Sequence, residues 1–304
     1  MFSWKSIYLE IADKLPDLTH WALMGLGGAI AGIAALAFRK GPDGLAFSIG
    51  SLGLMGVALH LAGLIYLITE VTSGGAINVA AALYAMTLIV AAGVFTNVRA
   101  VTALAIVPFA QALETGTAYW HAAYVFYSPE STLTILQMSV LIGACLWAIR
   151  RFPERIARHA GILSIMAAVV GSLAFLVGTL WGDYVGITFF RNAAPVYGDY
   201  ADFAAYQRAR DLYESGFFHI NEHIYSVAFA IVLIAGAWFA AALNRRGLFN
   251  AAVTFLGIHA YTQMFESFSD EPMVYALGGL AAIPLAWGLW RLNTRMFAHE
   301  SAPN

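Results

Sequence analysis

Apolar stretches of helical length recur along this chain, and the charged residues between them are sorted by sign. Crossing a hydrocarbon layer of ~30 Å takes about 20 residues of helix, and only helices and closed barrels satisfy every backbone polar group without water. The runs here have helical length, too long for barrel strands. Nine spans are expected, near 18–38, 44–69, 75–96, 98–116, 132–150, 159–181, 217–243, 247–267 and 272–291. The composition agrees, since 60% of the residues are hydrophobic and 11% charged, against about 25% charged in soluble domains. The expected fold is an all-α, polytopic integral membrane helical bundle forming one transmembrane domain over residues 1–304.

Charge sets the expected orientation. Arg39, Lys40, Arg99, Arg150, Arg151, Arg155, Arg158, Arg245, Arg246, Arg291 and Arg295 lie at one set of loops, eleven of the sixteen Lys and Arg, and fifteen of the eighteen acids lie at the other. By the positive-inside rule the basic loops are cytoplasmic. An inner membrane is expected, with the N-terminus and the 182–216 stretch outside and the C-terminus inside.

The first seventeen residues have no short apolar core with a small-residue cleavage site, so a signal peptide is not expected. Trp4, Ile7, Tyr8, Ile11 and Leu15 recur at helical spacing, as in a helix lying along the membrane surface. A second surface helix is expected in the outer loop 182–216, where Phe203, Tyr206, Ala209, Tyr213 and Phe217 form an apolar stripe opposed by Gln207, Arg208, Arg210, Asp211 and Glu214. That loop is either a lid or an ordinary connection carrying interfacial aromatics. The single cysteine, Cys145, lies inside a span and is read as packing. A net charge of −2 with no basic patch gives no reason to expect nucleic acid.

An ionisable group at the bilayer centre costs roughly 2.5–3.5 kcal/mol on insertion scales, so each needs a partner or a wet cavity. Six of the eight histidines fall on the acidic side: His20, His60, His121, His219, His223 and His259. His159 and His299, among basic segments, are expected to be solvated. His259, Thr262 or Gln263, and Glu266 follow i, i+3 or i+4, i+7 and form one polar stripe, which is either a pocket wall or a helix contact. Glu114 and His121 share a face if the fourth span continues that far, with Pro108 kinking it beneath them. Glu114 is then a proton carrier or an acid near enough to the surface to reach water.

His219-Ile-Asn-Glu-His223 is the sharpest motif. Histidines at i and i+4 of a helix reach one metal, and Glu222 beside them is placed as general base toward a metal-bound water. The motif is similar to the H-x-x-E-H signature of inverted zincin peptidases. It also resembles the paired-histidine element of the alkaline ceramidase and progestin-receptor-like membrane hydrolases. That second resemblance implies a zinc site completed by a histidine from an earlier span, a part for His60 or His121. The Ser-x-x-x-His pattern of that group is represented here only by Thr117 before His121. The first resemblance implies a distal acidic third ligand, a part for Glu266 or Glu114 where its span adjoins the seventh. The segment from Gly257 to Phe268 resembles polytopic bacterial membrane proteins of unknown function.

Three functions are therefore expected to compete. The first is an outward-facing His and carboxylate pocket holding zinc, another divalent metal or haem, acting on a small hydrophobic or lipid-like substrate or in redox chemistry. The second is proton-linked transport of a small solute through Glu114, His259, Glu266 and His60. The third is a non-catalytic membrane subunit whose histidines serve packing and whose outer surface serves a partner. No oligomeric state is readable.

Overall fold

The computed structural model describes residues 20–40, 45–71, 75–120, 123–268 and 271–296. The surface helix expected over residues 1–17, together with His121 and His299, lies outside them. The described chain is all-α with two short ribbons, in the order α1 (His20–Lys40), α2 (Ala46–Val71), α3 (Gly75–Thr96), α4 (Arg99–Leu104), α5 (Ile106–Gln111), β1 (Gly116–Trp120), β2 (Ala123–Tyr127), α6 (Ser131–Arg151) and α7 (Glu154–Trp181), then β3 (Asp183–Val185), α8 (Phe203–Glu214), β4 (Phe218–Ile220), α9 (Glu222–Ala242), α10 (Arg246–Ser267) and α11 (Pro272–Met296). Among the described residues, seven helices are long and apolar enough to cross a membrane: α1, α2, α3, α6, α7, α9 and α11. The α10 helix has the length, at 22 residues, but is not among the seven, and it carries Asn250, His259, Gln263 and Glu266.

The chain divides into two compact units, one of Met1–Pro129 with Val140–Ala167, the other of Glu130–Ser139 with Ala168–Asn304. In the first, α1 and α2 approach backbone to backbone. A methyl group on Gly27 would collide with the His60 backbone, and one on Gly56 would lie 2.5 Å from the Ala31 nitrogen. Lipid tails are as apolar as leucine, so in a bilayer such close approach, and not hydrophobic burial, holds helices together.

The fourth expected span, 98–116, is corrected by this unit. Its helix is broken at Ala105 into α4 and α5, because Pro108, lacking an N–H, fits only the first turn of a new helix. Three residues after Gln111 the backbone turns left-handed at Glu114, φ 65. An antiparallel ribbon follows, pairing Gly116 with Tyr127 and Trp120 with Ala123, in a segment rich in the aromatic and β-branched residues that suit strands. Glu114 therefore stands in a turn past the end of α5.

In the second unit, α9 and α10 form a hairpin turned at Asn244, φ 53. Phe229, Leu233 and Phe255 are its buried centre, with Leu173, Phe175 and Leu176 packed against it. The Phe175 and Phe229 rings stack at 4.9 Å. At the end where α6 and α9 begin and α7 finishes, β3 pairs with β4 antiparallel, Asp183 opposite Ile220 and Tyr184 opposite His219.

Candidate functional site

Glu130 and Asp183 are the buried acids among the described residues, 4% and 5% exposed, and both stand at this end of the second unit. A helix start leaves four N–H groups unpaired, with partial positive charge. Asp183 supplies what the start of α6 needs. Its Oδ2 accepts from the Thr132 N–H at 2.7 Å and the Thr132 hydroxyl at 2.5 Å. The Tyr225 hydroxyl, on α9, donates to the same oxygen at 3.0 Å and lies 2.5 Å from the Thr132 hydroxyl. One carboxylate oxygen thus ties together α6, β3 and α9.

Glu130 works in the opposite direction along the chain. Its backbone carbonyl accepts the Thr134 N–H and opens α6, while its side chain reaches the loop after β3. There Oε1 accepts from the Gly186 N–H at 2.9 Å and Oε2 from the Thr188 N–H at 3.2 Å. The turn between α7 and β3 needs glycine: Gly182 has φ +66, and a Cβ there would lie 2.6 Å from the Ile220 carbonyl oxygen and 2.7 Å from His219 Nε2.

The rest of the loop is pinned onto this base. Asp202 caps α8 by accepting the Ala205 N–H at 2.7 Å. Tyr213 donates to the Phe190 carbonyl at 3.0 Å, and its ring meets Phe217 edge-on at 5.1 Å. Arg210 bonds Glu214 at 2.5 Å. The Tyr184 phenol stays protonated to higher pH than an ordinary tyrosine, first because burial disfavours the phenolate and next because the Glu214 carboxylate repels it.

Among the described residues, the expected ligands form no group of three or more that could hold a metal ion. His219 lies on β4, exposed, with its ring 4.7 Å from that of Tyr184. His223 lies on α9 with its side chain 87% exposed, 4.0 Å from the partly exposed Glu222. Between them Asn221 caps α9 by accepting the His223 N–H at 2.9 Å. The two histidines therefore do not share a helix face, which corrects the premise of the H-x-x-E-H reading: the expected span start at 217 is a strand and a cap.

The other candidates are distributed among helix contacts. His259 is buried on α10, donates from Nε2 to the Ser226 carbonyl at 3.0 Å and packs edge-on against Phe229 at 5.0 Å. Its Nδ1 has no hydrogen-bond partner among the described residues. Glu266 is exposed and accepts from Gln263 at 2.7 Å, so the stripe runs from a buried contact to the surface. In the first unit His60 donates from Nδ1 to the Met24 carbonyl at 2.9 Å, leaving Nε2 to accept the Tyr84 hydroxyl at 2.8 Å. Glu114 sits in the turn before β1.

His159, expected to be solvated, is 1% exposed, with Nδ1 2.6 Å from the Thr102 hydroxyl and Nε2 3.4 Å from the Asn97 side-chain oxygen. The reason is that α7 begins at Glu154 and turns this position toward α4, where Thr102 is itself buried. Among the described residues, no group of three or more His, Cys, Asp or Glu is arranged to hold a metal ion. Glu130, Thr132 and Tyr225 are the functional positions that sequence reasoning passes over. Their signal is Glu130-Ser-Thr132 directly before an apolar run, a helix-start signature whose acid need not serve its own helix. No protein-family model, curated protein or solved structure matches the chain.

Proposed function

We propose that the protein is a non-catalytic subunit of an inner-membrane assembly, with the 182–216 stretch facing outward as a braced platform for a protein partner. The observation that carries this reading is how the polar groups are used. His60, His159 and His259 are occupied with neighbouring helices, and the buried carboxylates of Glu130 and Asp183 hold the loop to α6 and α9.

A mere connection between two spans needs no such bracing, whereas a docking surface gains affinity from being ordered in advance. The apolar residues this platform leaves exposed fit a partner better than headgroups. Phe189 is 73% exposed, Phe190 61% and Leu212 76%, none with the polar tip by which Trp and Tyr anchor an interface, and they outnumber the exposed Tyr197 of the same stretch. Metal chemistry at His219 and His223 with Glu222 as base, and proton-linked transport, are the readings this one displaces.

The test is a photo-crosslinking residue placed at 189 and at 212 in native membranes. The platform reading expects a discrete protein adduct from both positions, abolished when Leu212→Asp is combined with the probe at 189. Adducts with lipid alone would overturn it.

A further inference from the structure

A recess between α1, α2 and α3 in the first unit ends among arginines. It is about 240 Å³ in volume and is lined by small residues, among them Ala34, Gly50, Gly53 and Ala91. Apolar cavities of about 150 Å³ already take up a benzene-sized molecule. The lining runs from Ala31 to Phe38 on α1, Ile49 to Val57 on α2 and Leu88 to Thr96 on α3. At ~1.5 Å per residue that is about 10–12 Å of depth, close to the roughly 15 Å of one leaflet.

The basic end of the recess is marked by Phe38 and Phe95, whose rings are 5.4 Å apart. There the Arg155 guanidinium donates to the Phe95 carbonyl, and Arg155, Arg99 and Arg158 all lie within electrostatic reach of His159. All three arginines are exposed. Glu154 stands 3.9 Å from Arg158 and offsets its charge, which leaves the excess positive charge here on Arg99 and Arg155. A fork of five N–H groups keeps donors in hand after one carbonyl contact, and it matches a phosphate.

We propose that this recess holds one acyl chain of an anionic phospholipid from the leaflet on the basic side, its phosphate bound by Arg155 within the field of Arg99. An apolar slot about 10–12 Å deep, with guanidiniums at its basic end, is complementary to the phosphate and to the adjoining part of an acyl chain.

The test is native mass spectrometry of the full chain released from bilayers of equal phosphatidylglycerol and phosphatidylcholine. About one phosphatidylglycerol per chain should be retained in preference to phosphatidylcholine. Arg99→Gln and Arg155→Gln should each reduce that preference about fivefold. Ala91→Leu, at an exposed position lining the recess, should abolish retention of either lipid without lowering the unfolding temperature. Equal retention of the two lipids would overturn the proposal. So would phosphatidylglycerol surviving Ala91→Leu, displacement by millimolar inorganic phosphate, or a dimer in place of the lipid.

Discussion

Asp183 collects three donors on one carboxylate oxygen, and its worth follows from what each donor would otherwise face. Hydrogen bonds to a charged group contribute about 1.5–3 kcal/mol, against about 1 for neutral pairs. Asp183→Asn keeps the shape and removes the charge, so it should cost about 2 kcal/mol in unfolding measured in detergent. Thr132→Val and Tyr225→Phe should each cost about 1 kcal/mol, and the double variant should cost measurably less than their sum, because both hydroxyls donate to the same Asp183 oxygen. Additive losses would show that the three groups do not act as one network. The histidines teach the complementary lesson. His60 and His259 each bond a backbone carbonyl, of Met24 and Ser226, and a backbone carbonyl leaves no mark in a sequence.

At the level of elements, local signals were readable and long-range ones were not. The helix at Phe203–Glu214 announces itself by its three- and four-residue stripe. The strand β4 does not, since three residues are too few for a period and its partner β3 is over thirty residues earlier. Position 217 consequently reads as the beginning of a helix that Asn221 in fact starts later. The break at Ala105 is half visible: Pro108 signals a kink, while the ribbon after Glu114 depends on pairing. Glu130 gives this level its test. With its carboxylate removed, the Gly186 and Thr188 amides lose their acceptors. Glu130→Ala should accelerate hydrogen exchange across residues 186–193 while α9 and α10 stay protected. Uniform acceleration would mean that Glu130 supports the helices and not the loop.

For the molecule as a whole, the sorting of eleven basic residues to one set of loops and fifteen acids to the other remains the strongest statement in the chain about its place in a membrane. Cysteines introduced at Lys40 and Ala205, in a Cys145→Ser background, should react with an impermeant label from opposite faces, and same-face labelling would refute the orientation. The functional reading depends on a different property, that the buried carboxylates of Glu130 and Asp183 and the imidazoles of His60, His159 and His259 each bond a neighbouring segment. His219 packs against Tyr184 in a tilted ring pair, His223 is exposed at the start of α9, and the Asn221 cap stands between them, so the two do not share one helix face. Elemental analysis of the detergent-purified protein, with His219→Ala and His223→Ala in parallel, probes this most directly. The account predicts metal well below one ion per chain and unchanged in both variants; one ion per chain, lost in either variant, would contradict it.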